Sequence, residues 1–95
     1  SCGEVEAAIL EHPDVMEASV YGVPDERMGE EVGVSLFAKG DLSEDELSGF
    51  LVSRLAKFKI PKYYRFSDDA LPRIASGKIN KRSLREEAVK EIVGE

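Results

Sequence analysis

The spacing of apolar residues along this chain changes several times, and each change marks an element. In residues 4–11, Val5, Ala8 and Ile9 fall on one helical face. That helix should stop at His12-Pro13, because the residue before a proline is pushed out of the helical region. In residues 15–23 the period drops to two, which predicts a strand. Met16, Ala18 and Val20 would face one way, and Glu17, Ser19 and Tyr21 the other. Residues 24–30 form a polar, turn-rich connection. Residues 31–38 alternate again through Val32, Val34 and Leu36, and Lys39-Gly40-Asp41 breaks the run.

Ser43 and Glu46 have capping-box spacing, each side chain able to bond the other residue's backbone N–H. The helix they open puts Leu47, Phe50, Leu51 and Leu55 on one stripe and should end before Ile60-Pro61. Residues 62–66 read as a third strand, and Tyr63 and Tyr64 as sheet packing. Residues 71–79 read as a tight hairpin or extended loop bent near Ser76-Gly77. Asn80 is a candidate N-cap for a last helix carrying Leu84, Ala88, Val89 and Ile92. The order predicts a small α+β domain, a mostly antiparallel sheet covered by about three helices. Residues 1–95 form a single domain in this reading, without repeats or a low-complexity linker.

Composition sets bounds on what such a domain does. Hydrophobic residues are 42% and charged residues 34% of the 95, as expected of a folded soluble domain. No apolar run approaches the ~20 residues that cross a bilayer. The acidic N-terminal residues do not resemble a signal peptide. A lone Cys2 allows no internal disulfide and suits a reducing, cytoplasmic setting. No His/Cys cluster offers a metal site. The pattern describes no deep cleft, so a domain of this size is not expected to run a whole reaction alone.

The net charge of −6 hides a division. Residues 1–53 carry 2 basic and 13 acidic side chains, a balance of −11. Residues 54–90 carry 11 basic and 4 acidic, a balance of +7. The basic half is either a solvated face or a surface that meets an anion such as a phosphate or carboxylate. Nucleic acid is disfavoured, since the domain as a whole is acidic and no aromatics interleave its basic residues.

The candidate chemistry centres on Lys78, in Leu71-Pro72-Arg73-Ile74-Ala75-Ser76-Gly77-Lys78-Ile79. Gly77 permits a tight bend just before it. A phosphate-cradling P-loop is excluded, because that motif needs glycine where Pro72 stands and Ser or Thr where Ile79 stands.

Several stretches together resemble a known family. They are Glu4-Val5-Glu6, His12-Pro13 with Val15 and Glu17-Ala18, Gly22-Val23-Pro24-Asp25 with Gly29-Glu30, and the run from Leu55 through Ala56-Lys57-Phe58-Lys59-Ile60 to Pro61. Leu71-Pro72 and Ser76-Gly77-Lys78-Ile79, with Lys81-Arg82 and Leu84-Arg85, complete the set. In this order they resemble the small C-terminal domain of the adenylate-forming enzymes: acyl-CoA synthetases, peptide-synthetase adenylation domains and luciferases. Pro72 and Gly77-Lys78 are spaced as in that family's last core motif.

The resemblance implies a mobile lid on a larger N-terminal adenylate-binding domain. In such enzymes a carboxylic acid attacks the α-phosphate of ATP, and a thiol then attacks the acyl-adenylate. ATP with Mg2+ and CoA would serve the full-length enzyme, and none is expected on this domain alone. The resemblance gives Lys78 the first step, between the substrate carboxylate and the α-phosphate, with Gly77 positioning it. One ammonium there offsets the repulsion of two anions, on the order of 4 kcal/mol for a charge pair at ~4 Å and an effective dielectric of about 20.

Arg54, Lys57 and Lys59 are candidates for CoA phosphates or for docking, against a plain solubilising role. Lys81, Arg82 and Arg85 sit early in the last helix, where positive charge opposes the helix dipole, which hints at docking on the larger domain. Residues 79–86 resemble the tails of CoA ligases, which favours an acyl-CoA synthetase acting on a carboxylic (fatty) acid whose identity and length this chain does not name. Alternatives are a peptide-synthetase adenylation domain, a standalone module that binds a carrier protein without catalysis, or a purely structural domain. The family's hinge would precede Ser1, so an excised or proteolysed domain is expected.

Overall fold

A computed structural model describes residues 1–94. Helix α1 (Cys2–Leu10) is capped by Ser1, whose hydroxyl accepts from the Glu4 N–H, and it turns Val5, Ala8 and Ile9 inward. Strand β1 (Val15–Asp25) and strand β2 (Gly29–Ala38) pair antiparallel. Asp25 makes the connection, its carboxylate accepting from the Arg27 and Met28 N–H groups, and Gly29 supplies a φ of 80° at the turn's end. Both strands start or finish further out than their apolar alternation predicted, because Pro24, Asp25 and Gly29-Glu30 continue the ladder.

Helix α2 (Glu44–Leu51) opens with the complete Ser43–Glu46 capping box and buries Leu47 and Leu51. It is shorter than the apolar stripe suggested: Leu55 reaches the core from the turn that follows, ahead of a 3-10 turn (Lys57–Lys59). Strand β3 (Tyr63–Ser67) lies beside β2 and parallel to it. A parallel partner needs a crossover longer than a hairpin, and α2 with its flanking turns provides it. The sheet, in the order β1-β2-β3, is therefore mixed, its longer pairing antiparallel. Asn80 caps helix α3 (Lys81–Val93), accepting from the Ser83 N–H, and Gly94 closes it at φ 81°.

The helices cover both faces of the sheet. On one face, residues from α1, α2 and Leu55 pack on Ala18, Val20, Val34 and Leu36. On the other, Leu71, Leu84 and Ala88 close over Tyr21 and Val23. Simple alternation fails at one point. The β1–β2 register shifts between Val15 and Glu17, so Met16 is an extra, bulged residue. Val15 takes the inward place on the face of Ala18 and Val20, and Met16 is 53% exposed. No helix among the described residues is long and apolar enough to cross a membrane.

Leu47, fully buried, and Met16 give a direct contrast. Leu47→Ala should cost about 3 kcal/mol in urea denaturation. Met16→Ala should stay within about 0.5 kcal/mol. A large loss at Met16 would contradict the bulge.

Candidate functional site

The Lys78 loop leaves the sheet after β3 and returns at α3. Its incoming leg is fixed by Leu71, 4% exposed in the second core. Its legs are joined by the Arg73–Ile79 bridge and by the Asn80 N–H, which donates to the Pro72 carbonyl at 2.7 Å. The tip closes on itself: the Gly77 N–H donates to the Ile74 carbonyl at 2.9 Å, and the Ile74 N–H to the Lys78 carbonyl at 2.8 Å. Gly77 has a φ of 95°, in the left-handed region that side chains rarely adopt. A Cβ there would meet nothing within 4 Å, so the requirement for glycine is one of backbone conformation.

Lys78 follows this bend and is exposed. Among the described residues it joins no ion pair, so its ammonium is presented to solvent. Its neighbours are held firmly. Glu17 on β1 accepts from the Leu71 N–H at 2.8 Å with one carboxylate oxygen and pairs with Arg73 through the other. Arg73 also donates to the Gly77 carbonyl at 2.7 Å. Past the loop, Lys81 pairs with Glu6 at 2.9 Å, and Glu6 also accepts from the Val20 N–H on the edge strand. The residue pattern gave Glu6, Glu17 and Arg73 no role of their own at the Lys78 loop. Glu17 carried a signal: it shares its strand face with Tyr21, and an acid on a buried face needs a partner.

The remaining candidates are placed apart from that loop's own bonds. Arg54 pairs with Glu11 at 3.2 Å and lies 3.6 Å over the Phe50 ring. Lys59 pairs with Glu4 at 2.8 Å, and that ammonium, by hydrogen bond and by charge, holds the Glu4 carboxyl below its ordinary 4.5. Lys57 joins no ion pair among the described residues. It lines an open groove of about 630 Å3 with Val52, Ile60, Lys62 and Tyr64. The early α3 cations are also engaged in part, Arg85 donating to the Gly22 carbonyl at 2.8 Å.

The charge division of the sequence thus has an internal use. Arg54, Lys59, Arg73 and Lys81 of the basic half all reach acids of the first half. Part of the basic half is matched within the fold; among the described residues Lys57, Lys62, Lys78, Arg82, Arg85 and Lys90 join no ion pair. Among the described residues no group of three or more His, Cys, Asp or Glu could hold a metal ion.

Comparison with known proteins agrees on one grouping. Residues 4–78 match the family described as the AMP-binding enzyme C-terminal domain. The chain is 46% identical over 81 residues to a 2-succinylbenzoate–CoA ligase of Bacillus licheniformis, covering 85% of this chain and 17% of that protein. It is 41% identical over 88 residues to a putative acyl-CoA synthetase of Bacillus subtilis, covering 90% of this chain and 16% of that one. Among solved structures, a fatty acyl-CoA synthetase of Mycobacterium tuberculosis superposes with a TM-score of 0.81 at 39% identity, over 88% of this chain and 17% of that one. The chain therefore spans only a small part of the length of the relatives it matches.

Tyr64 yields a test of the groove's burial. Its hydroxyl is buried without a hydrogen-bond partner, and burial raises its pKa from 10.0 to about 12. The unfolded chain ionises first as pH climbs, so stability from this group is complete below pH 10 and is lost towards pH 12. Tyr64→Phe should remove that alkaline loss and leave stability at neutral pH equal or higher, read as urea midpoints across the range. Parallel alkaline losses in both proteins would contradict the burial.

Proposed function

This chain belongs to the AMP-binding enzyme C-terminal domain family, and from that premise we propose that it serves as the mobile lid of an AMP-forming acid–thiol ligase. The observation that carries the proposal is Lys78: an exposed ammonium, unpaired among the described residues, at the tip of a loop whose neighbours are fixed. ATP and CoA are the substrates that this family reading brings with it.

In the first step a carboxylate oxygen attacks the α-phosphorus of ATP, the bond to pyrophosphate breaks, and an acyl-adenylate forms. Both reactants are anionic. Lys78, delivered when the lid closes, neutralises the repulsion and orients attack, which a flexible stem with a compact charge suits. The gain is largest where water is excluded around the developing charge. In the second step a thiol attacks the acyl carbon, AMP leaves, and the thiol proton passes to solvent. Lys78 has no part there.

An acyl-CoA synthetase is the subtype we favour, supported by the CoA ligases among its relatives. The acid would be chosen in the larger N-terminal domain, this chain's partner. We assign the CoA phosphates first to Lys57, whose ammonium joins no ion pair among the described residues; Arg54 and Lys59 would first have to leave Glu11 and Glu4. Mg2+ would travel with the nucleotide, and we assign it no ligand in this chain. The single exposed Cys2 supports a reducing, cytoplasmic setting.

Lys78→Ala in the complete ligase should lower ATP–pyrophosphate exchange by at least about 100-fold. Thioester formation from supplied acyl-adenylate should persist. Unchanged exchange would make Lys78 an ordinary surface residue.

A further inference from the structure

Among the described residues, Arg73 is the one side chain whose hydrogen bonds reach both β1 and the tip of the Lys78 loop. Its guanidinium pairs with Glu17 and donates to the Gly77 carbonyl at 2.7 Å, one residue before Lys78. Glu17 uses both its oxygens, the second holding the Leu71 N–H at 2.8 Å. Its side chain is 15% exposed, the most sheltered acid in any ion pair among the described residues. Arg73 itself is 47% exposed, so the fold shelters the carboxylate and leaves the guanidinium partly in water. Leu71 in turn is buried in the second core.

These contacts form one path from the sheet to Lys78. The backbone bonds of the loop join its legs to each other, but they do not orient the tip against the sheet. The Glu17–Arg73–Gly77 path does. We propose that Glu17 and Arg73 are positioning residues for adenylation, holding Lys78 so that lid closure delivers its ammonium to a fixed point. The proposal rests on the reading of Lys78 as the adenylation lysine. It explains why arginine stands at position 73: a planar fork bonds a carboxylate and a carbonyl together, whereas a lysine has a single nitrogen to share.

The consequence is selective. A loosened loop misplaces Lys78 in the first half-reaction and leaves the second intact, since Lys78 acts only in the first. A purely structural clamp would instead lower both together.

The test uses the complete ligase with Glu17→Gln, Arg73→Gln, the double variant and Arg73→Lys, alongside Lys78→Ala. Pyrophosphate exchange and thioester formation from supplied acyl-adenylate are measured separately. Exchange should fall by about 10- to 100-fold in each glutamine variant, chiefly in kcat. The double variant should fall no further than the weaker single, because the two residues act as one unit. Arg73→Lys should recover part of the exchange, and thioester formation should stay at wild type throughout. Exchange unchanged in Glu17→Gln and Arg73→Gln, with Lys78→Ala inactive, would overturn the positioning role and leave the Lys78 reading standing. Equal loss in both half-reactions would overturn it in favour of a structural clamp. Exchange retained in Lys78→Ala would overturn both.

Discussion

Strand β1 feeds two cores at once. Ala18 and Val20 point into the core shared with α1 and α2, while Tyr21 and Val23 point into the one closed by Leu71 and α3. A three-stranded sheet is marginal without such cover, and a strand buried on both faces fixes its register tightly, since a one-residue slip would exchange the two sets. The bulge at Met16 is where this constraint becomes visible. It lets Val15 rejoin the inner face after the chain has left α1.

From that strand the placement of the Lys78 loop follows. Glu17 stands on the second face of β1, at the edge where the loop begins, and holds both Leu71 and Arg73. Glu6 does a similar task past the loop, tying α1 to β1 and to the start of α3. The acids of the first half and the cations of the second are thus two sides of one set of tethers. Individually, exposed pairs of this kind contribute little stability. Their value here is geometric, fixing where elements distant in sequence meet.

Much of this was legible in the sequence. The capping box at Ser43, the Asn80 cap, the inward residues of α1 and β2, and the α+β class all follow from short-range rules that the structure keeps. Met16 was misplaced because period-two reasoning has no means of seeing a bulge. The parallel placement of β3 was within reach, since a helix between two strands is the usual sign of a crossover, but strand periodicity alone says nothing of direction. Lys78 and Gly77 stood out from their setting in a recognisable motif. Glu17 and Arg73 did not, because their significance comes from a contact between distant parts of the chain. The charge division was seen and pointed outward; the fold turns part of it inward, through Arg54, Lys59, Arg73 and Lys81.

The central claim is that the ammonium of residue 78, and not merely the loop around it, does the work. The direct measurement starts from the complete ligase with Cys2→Ser, which removes an exposed thiol, and adds Lys78→Cys. Pyrophosphate exchange is followed before and after alkylation with 2-bromoethylamine, which rebuilds a lysine-like ammonium with a sulfur in the stem. The account predicts that exchange is lost with cysteine and returns on alkylation, while the Lys78 parent treated alike does not change. Exchange that survives the cysteine substitution, or that stays absent after complete alkylation, would contradict it.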